Sequence, residues 1–390
     1  MAVDPFDEFV ALNARAVGND RDPYTGYVWA RREHPVEQIG LSDFVVYRHE
    51  DVRTVLRDAD TFSSRAYEGA IETVLGPSFL SMDGTEHLQH RALVAGAFRR
   101  TALERWRTEV IERNVGELLD ALATSGDAEL VRSLTLPLPV NVITAILGVP
   151  VDDHLRFARL SIQMLGMVNA FEEGLKASAE LRDYFAVILA QRRADPRDDV
   201  ISDLARAEVD GHRLDDEHIF GFLRLLLPAG METSYRLLGS LLYALIADAH
   251  AQERIRKDRS LIPRAIEEAL RWETPVQYID RKTTRAVSLG GVDLPEGAQL
   301  SLALGSANRD EAVYDEPDRF DIDRDGPPHL AFADGPHRCL GEHLARLEIT
   351  VAIDALLDRF DDIRFAGDPP AIRGIHFRSP ESLPVSLRAS

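Results

Sequence analysis

The chain combines short stretches with strand-like patterns and long segments with apolar residues at helical spacing. Near the N-terminus, "PVEQI" and "DFVVYR" have the short, β-branched character of strands. From about residue 101 onward the helical spacing dominates. Residues 101–123 repeat apolar positions every three or four residues, with Thr101 as the predicted N-cap and Gly126 just beyond the end. The same pattern predicts helices over residues 152–170, 172–193, 215–247, 261–273 and 341–359.

Strand patterns return in the C-terminal half of the chain. They cover residues 276–289 and 300–304, and they recur in "IRF" and "LPVSL" near the C-terminus. The chain has no internal repeat, no low-complexity tract and no glycine-serine linker. We therefore predict an α+β fold that is mostly α, with small sheets.

The segment 215–247 is the most apolar part of the chain. "IFGFLRLLLPAGMETSYRLLGSLLYALIA" is apolar nearly all round, which predicts a helix buried in the core. It nevertheless contains Pro228 and Gly230, followed by Glu232 and Thr233, and a proline inside a helix costs roughly 3 kcal/mol. One interpretation is a kinked core helix whose Glu232 reaches solvent. The other is a deliberate break in the helix beside a reaction site.

Charge and composition exclude several classes of protein. The chain carries 45 Lys and Arg against 65 Asp and Glu, a formal net charge of −20, which argues against binding to nucleic acid or to an anionic membrane surface. No apolar run approaches the roughly 20 residues that a membrane-spanning helix needs. The start of the chain does not resemble a signal peptide. A single cysteine excludes an intramolecular disulfide and a cysteine-rich zinc site, and it predicts a reducing, cytoplasmic location.

That single cysteine, Cys339, lies in "AFADGPHRCLG", a stretch rich in glycine, proline and charge. A thiolate is a soft ligand for a transition metal such as iron. Gly335 and Gly341 permit a tight loop whose amides can point at the sulfur, and the helix predicted to follow would place its positive end nearby. Phe332 could shield one face. The alternative is an inert buried cysteine.

Two pairs of charged or polar residues have helical spacing. Glu268 and Arg271 share one face of a predicted helix, and so do His87 and Arg91. The first pair could be an ordinary surface ion pair, and the second could lie on a solvated face. Alternatively, His87 and Arg91 suit an anionic group of a ligand.

In their order along the chain, these motifs resemble those of the cytochrome P450 superfamily of haem-thiolate monooxygenases, in its soluble bacterial form. The resemblance runs from about residue 35 to residue 387 and includes "PDRFDIDR" before the cysteine loop. It implies a single haem domain over residues 1–390, with a long central helix over the haem and small peripheral β-sheets. It also implies haem b with its iron as the cofactor, and a cytoplasmic protein without a membrane anchor.

The resemblance assigns roles to individual residues. Cys339 would be the iron ligand, and Glu232 and Thr233 would be the catalytic acid–alcohol pair. Glu268 and Arg271, with Arg324, match the ion network behind the haem. The cofactor-binding positions are His87, Arg91, Ala229, Gly230, Arg281, Phe332, Gly335, His337, Cys339 and Gly341. The chain departs from the family pattern at Ala333, where a glycine is usual, and at Pro228 and Met231.

The activity implied is insertion of one atom of O₂ into a hydrophobic small molecule, by hydroxylation or epoxidation. Electrons would come from a separate ferredoxin and ferredoxin reductase. Two alternatives stay open: a peroxide-driven hydroxylase of the same fold, against which the pair Glu232-Thr233 argues, and a non-enzymatic haem sensor or carrier.

The resemblance also places the substrate pocket and a surface for the redox partner. The pocket segments are residues 67–79, 164–171, 225–229, 276–279 and 375–377, which are mainly apolar. His376 could anchor a carboxylate. Four arginines could form a basic patch for the ferredoxin, or they could pair with local acids; they are Arg99, Arg100, Arg338 and Arg346.

Overall fold

The computed structural model of the protein describes residues 22–122, 126–168 and 170–389. The prediction that the start of the chain is not a signal peptide therefore concerns residues outside the described ranges. Its α-helices are α1 Tyr24–Glu33, α2 His49–Arg57, α3 Ala70–Leu75, α4 Gly84–Ala95, α5 Arg100–Trp106, α6 Glu112–Leu122, α7 Pro137–Leu147, α8 His154–Leu165, α9 Phe171–Ala194, α10 Val200–Arg206, α11 Asp216–Ala247, α12 Ala249–Lys257, α13 Ile262–Trp272, α14 Leu304–Ala307 and α15 Glu342–Arg359.

The strands form small sheets beside this helical body. They are β1 Val36–Gln38, β2 Asp43–Val46, β3 Phe62–Ser63, β4 Asp127–Glu129, β5 Tyr278–Thr283, β6 Val287–Leu289, β7 Val292–Leu294, β8 Gln299–Ala303, β9 Phe360–Phe365, β10 Ile372–Arg373, β11 Ser379–Pro380 and β12 Pro384–Ala389. One sheet has the order β1-β2-β8-β5-β3, a second β4-β12-β9, and two pairs are β10-β11 and β6-β7. Strands β2 and β8 run parallel. The predicted α+β fold, mostly α with small sheets, is confirmed.

Helix α11 runs through the core. Its N-cap Asp215 accepts a hydrogen bond from the backbone N–H of His218, and most of its 32 residues are buried. Neighbours on several sides are α7, α8, α9, α13 and α15. The helix is continuous through Pro228, so the predicted interruption is wrong: tertiary packing holds the helical backbone where proline alone would disfavour it.

Two predicted helix boundaries also need correction. The helix predicted from residue 101 begins at Arg100, with Arg99 at the N-cap position and no side-chain capping bond, so the assignment of Thr101 as N-cap is wrong. A π-helical turn, Arg107–Ile111, separates α5 from α6. The predicted helix 152–170 is shorter as α8, because it is flanked by the 3₁₀ turns Val151–Asp153 and Gly166–Val168.

Among the described helices, none has both the length and the apolar character needed to cross a bilayer.

Candidate functional site

The cysteine loop connects the 3₁₀ turn Gly335–His337 to α15. The backbone N–H of Cys339 donates to the carbonyl of Phe332 over 2.9 Å, and that of Arg338 donates to the carbonyl of Gly335 over 3.1 Å. The Cys339 side chain is accessible despite the protein around it. Although solvent can reach this side chain, the many protein atoms around the sulfur desolvate the thiolate and raise the pKa of the thiol, whereas the Gly341 N–H and the positive Arg91 oppose that shift. A cation bound at the sulfur would favour the thiolate further.

This loop is docked on the C-terminal end of α2. Asp334 accepts hydrogen bonds from Arg53 over 3.2 Å and from Arg57 over 2.8 Å. Gly335 has φ +73°, and a Cβ built on it would lie 2.4 Å from the backbone oxygen of Leu56. Helix α2 therefore fixes the position of the loop, a contact that no sequence motif indicated.

Donor groups cluster beside the loop. The rings of His87 and His337 are tilted by 33° to each other, with centroids 3.9 Å apart. Within the described ranges, neither Nε2 atom has a hydrogen-bond partner, although both are buried. Arg281 is 3% exposed, and Arg91 donates to the carbonyl of Arg338 over 2.6 Å. Four of the predicted cofactor-binding residues therefore converge.

The electrostatics of this cluster favour an anionic partner. Burial, together with the nearby His337 and Arg91, lowers the pKa of His87 to about 4. Burial also lowers the pKa of His337, against the opposing effect of Asp83, whose Oδ1 lies 3.8 Å from the His337 Nε2. These groups are positive or donate hydrogen bonds, and carboxylate oxygens would satisfy them.

The partners of the buried arginines also indicate that an anion would bind beside this cluster. Six of those in the described ranges have a carboxylate within 4.0 Å; they are Arg31, Arg192, Arg236, Arg271, Arg309 and Arg378. Within those same ranges Arg224 and Arg281 have none: Arg224 donates instead to the Ser178 hydroxyl and the Phe220 carbonyl, whereas the Arg281 Nη1 donates to the carbonyl of Asp280. A soft sulfur ligand next to orphaned donors for carboxylates fits haem, with its iron and two propionates.

On α11, Ala229 and Thr233 lie one helical turn apart. Ala229 is exposed although most of this helix is buried. The Thr233 hydroxyl donates to the Ala229 carbonyl over 2.8 Å, as helical threonines often do. A Cβ on Gly230 would lie 3.1 Å from Ile143 Cδ1, so this glycine lets α11 approach α7 closely.

Glu232 does not extend to solvent, and the interpretation that it does is wrong. It is 2% exposed, and its Oε1 accepts hydrogen bonds from Arg236 Nε over 2.8 Å and Nη2 over 2.5 Å. The sequence contains this spacing, but helical Glu–Arg pairs four residues apart are usually on the surface. The sequence alone therefore does not distinguish Arg236 from a surface residue.

The pair Glu268–Arg271 is buried, so its interpretation as a surface ion pair is wrong. Arg271 Nε and Nη2 each donate to Glu268 over 2.8 Å, and Arg324 Nε donates to the same carboxylate over 3.1 Å. Arg271 also donates to the carbonyls of Asn308 and Pro317. This network ties α13 to the segment that leads into the cysteine loop.

The predicted basic patch is largely neutralised by acids. Arg338 pairs with Glu342, and Arg346 pairs with both Glu342 and Glu267. Arg100 pairs with Glu104, whereas Arg99 donates to the carbonyl of Gly96. The alternative of local pairing is therefore correct for three of the four arginines. Arg346 also lies over the Phe332 ring, with its guanidinium carbon 4.6 Å from the centroid.

Several predicted pocket segments meet in space. Val276 forms a β-bridge with Phe377, and the rings of Tyr278 and His376 have centroids 5.9 Å apart. The Tyr67 hydroxyl accepts a hydrogen bond from the Asp280 backbone N–H, which connects the segment 67–79 to β5. Residue 169 of the segment 164–171 lies outside the described residues.

Comparison with known proteins identifies the family of the chain. The family model "Cytochrome P450" matches residues 38–370. "Cytochrome P450 107B1" of Saccharopolyspora erythraea is 36% identical over 91% of this chain and 92% of its own length. "Cyclomarin C epoxidase CymV" of Salinispora arenicola is 36% identical over 92% of this chain and 94% of its own. The crystal structure of CYP109E1 from Bacillus megaterium in complex with testosterone matches with a TM-score of 0.85 at 34% identity, covering 94% of this chain and 99% of that one.

Proposed function

The chain belongs to the cytochrome P450 family, a family of monooxygenases, and from this premise we propose that it oxidises a hydrophobic small molecule with one atom of O₂. Electrons would come from separate redox proteins. The observation that carries the proposal is the thiol of Cys339 next to the orphaned donors of His87 and His337. Together they offer a metal ligand and a site for carboxylates.

In this proposal haem b would be held at its iron and at its propionates. Cys339 would supply the thiolate, and His87, Arg91, Arg281 and His337 would bind the carboxylates. The bound haem supplies the chemistry of oxygen activation, in which a thiolate ligand favours O–O cleavage. Glu268 and Arg271 hold the segment before the loop in place, so that the thiol has a fixed position.

Thr233 and Glu232 are proposed to bring protons to the oxygen site. The Thr233 hydroxyl is already oriented by its bond to Ala229, whose exposure places it at the open face of α11. With its proton on the Ala229 carbonyl, the hydroxyl oxygen could accept a hydrogen bond from a water and so hold a proton donor at this face. Glu232 could supply protons to that water only through further waters, because adjacent residues on a helix point in different directions and geometry is the first requirement of such transfer.

For the substrate we propose a hydrophobic molecule of steroid or terpenoid type. The aromatic contact of Phe79 with Phe222, at 5.9 Å between centroids, adds an apolar wall near His87. One relative is named an epoxidase and one similar structure contains testosterone. Both reactions, hydroxylation and epoxidation, are compatible with such a pocket.

The proposed electron donor is a ferredoxin with its reductase. Because Arg338, Arg346 and Arg100 are paired with acids, the net attraction of this face for an acidic partner is smaller than four free arginines would give. We therefore propose a docking face that combines a few charges with apolar contact.

The function is tested by reconstitution. With NADPH, a ferredoxin and its reductase, and testosterone as the probe, we expect one oxidised product per NADPH in the best case, measured by mass spectrometry. Product that appears equally with hydrogen peroxide and no reductant would instead identify a peroxide-driven enzyme. Haem binding without product under either condition, across a panel of terpenoids and fatty acids, would favour a sensor or carrier.

Replacing Thr233 with alanine should uncouple the reaction. Haem and testosterone binding should be retained, because the hydroxyl makes only a helical bond, while peroxide rises and product per NADPH falls by about 10²-fold, the lower end of what proton-transfer groups contribute. Thr350→Ala is the matched control: that hydroxyl makes the same bond, to the Arg346 carbonyl over 2.6 Å, on another helix. Full coupling in Thr233→Ala would leave the residue with a helical role alone.

A further inference from the structure

The ion pair between Glu232 and Arg236 is unusual for its place in the fold. Both side chains are nearly inaccessible, at 2% and 3% exposure, although they are only four residues apart on one helix. Similar pairs elsewhere, such as Arg100–Glu104 and Glu253–Lys257, are exposed. An exposed pair adds little to stability, and a buried one must overcome the desolvation of both charges. Local helix stability therefore does not explain this pair.

Arg236 also connects α11 to the C-terminal strands. Its Nη1 donates to the Ser379 hydroxyl over 3.2 Å, while Nε and Nη2 are used on Glu232. The guanidinium lies 5.7 Å from the ring centroid of Phe377 and 4.8 Å from that of Tyr235. The side chain is thus held by hydrogen bonds on both sides and by aromatic rings.

Phe377 belongs to the segment that pairs with Val276, and both were assigned to the substrate pocket. The neighbouring Gly239 packs on the same strand, because a Cβ there would lie 3.8 Å from Pro380. The acid of the acid–alcohol pair is therefore linked, through one guanidinium, to the chain that lines the pocket.

We propose that Arg236 is a positioning residue for the reaction, one that fixes the Glu232 carboxyl group by two hydrogen bonds and anchors it to Ser379 next to the pocket wall. The proposal rests on the function proposed above, because it concerns the availability of Glu232 for proton transfer. Arg236 itself remains charged: burial opposes its charge, but Glu232 and Tyr235 more than compensate, so that its pKa is raised. The Glu232 Oε1 therefore always lies next to the positive guanidinium of Arg236, and the Glu232 side chain is held in one orientation along α11.

The protonation state of Glu232 can be read without any turnover. We expect that the ferric holoenzyme of Arg236→Met shows an additional infrared carbonyl stretch of a protonated carboxyl group at neutral pH, because a buried carboxylate without a cation takes up a proton. The band should disappear in the double variant Arg236→Met/Glu232→Gln. The difference between these two spectra also cancels the signal of any other buried acid, such as Glu348.

Arg224 provides the matched control. It is a buried arginine on the same helix, it donates to Ser178 Oγ over 2.8 Å and to the Phe220 carbonyl over 3.2 Å, and no ion pair is found for it among the described residues. Arg224→Met removes a comparable side chain and should give no new carboxyl band. An equal band in Arg224→Met, or none in Arg236→Met, would overturn the proposal. If Arg236→Met does not incorporate haem, Arg236→Gln serves for the same comparison.

The second readout is the coupling of the reaction, measured as product and peroxide formed per NADPH with testosterone present. We expect Arg236→Met to lose about tenfold in product per NADPH, less than the 10²–10⁴-fold of a group that transfers the proton itself, with an unchanged testosterone dissociation constant. Arg236→Lys, which keeps the positive charge, should restore most of the coupling, and Ser379→Ala should lose less than Arg236→Met. Adding Glu232→Gln to Arg236→Met should cost nothing further, because both act through one carboxylate.

The outcomes separate this proposal from the proposed function. If Thr233→Ala and Glu232→Gln both remain coupled, the proposed proton route itself fails. If those two variants are uncoupled while Arg236→Met remains coupled and shows no carboxyl band, only the role of Arg236 is overturned. Additive losses in the double variant would assign Arg236 a separate, structural function.

Discussion

Replacing Cys339 with serine is expected to abolish monooxygenation and to remove the red-shifted Soret band of the reduced carbon monoxide complex. The effect should be the largest of any single substitution in the chain. Cys339 is the only cysteine in the sequence, so no second thiol can take its place. Serine keeps the size of the side chain but replaces a soft sulfur ligand by a hard, weakly acidic hydroxyl.

The variant should still fold around haem. The loop conformation depends on the backbone bond from Cys339 N to Phe332 O and on the docking of Asp334 onto α2, and serine leaves both unchanged. The propionate donors His87 and Arg281 are also unchanged. We therefore expect haem to bind, with a carbon monoxide band at the position typical of ligands other than thiolate.

The measurement is the reduced carbon monoxide spectrum, together with product formation from testosterone. Pro336→Ala is the control, since Pro336 is exposed in the same loop and should retain the band. Persistence of the red-shifted band in Cys339→Ser would show that Cys339 is not the ligand. Loss of the band in both variants would point to general damage to the loop.

Periodicity predicted the elements that carry the site, because their apolar faces are long and regular. The buried helix α11 and the helix after Cys339 begin within a residue of their predicted starts. The small strands β2 and β12 were recognisable as short runs of residues that favour strands. The interruption expected at Pro228 is absent, since packing around α11 outweighs the local preference that the sequence displays.

The contacts that could not be predicted join residues far apart in sequence. Asp83 approaches His337, and Arg236 reaches Ser379. Neither pair has a spacing that a helix or strand would bring together. The burial of Glu232 is equally invisible in sequence, because the same four-residue spacing occurs in exposed pairs.

The pairing of acids with the arginines expected to form a basic patch, by contrast, could largely have been predicted from the sequence. Glu342 and Arg346 lie four residues apart at the start of the predicted helix, which brings them to one face, whereas Arg338 lies in the loop that leads into that helix. Arg100 and Glu104 have the same four-residue spacing. Counting arginines without their helical neighbours overestimated the positive charge of this face.

The second large effect is expected at Gly335. Gly335→Ala should destabilise the holoenzyme by about 2–5 kcal/mol, combining about 1–2 for the left-handed backbone with about 1–3 for overpacking. The Cβ would lie 2.4 Å from Leu56 O and 3.1 Å from Arg57 Cα. Both are backbone atoms of or beside α2, so no side-chain movement relieves the contact. The loop or α2 must shift, and Cys339 and His337 move with the loop.

Thermal haem loss, followed through the Soret band, measures this effect, and Gly116→Ala is its control because nothing lies within 4 Å of a Cβ at that helical glycine. The neighbouring position gives a test of opposite sign. Ala333 has φ +58°, where glycine is favoured, so Ala333→Gly should stabilise the loop by about 0.5–1 kcal/mol. A Gly335→Ala enzyme as stable as Gly116→Ala would mean that α2 does not fix the loop. The position of the thiol would then depend on α15 and on the network around Glu268 alone.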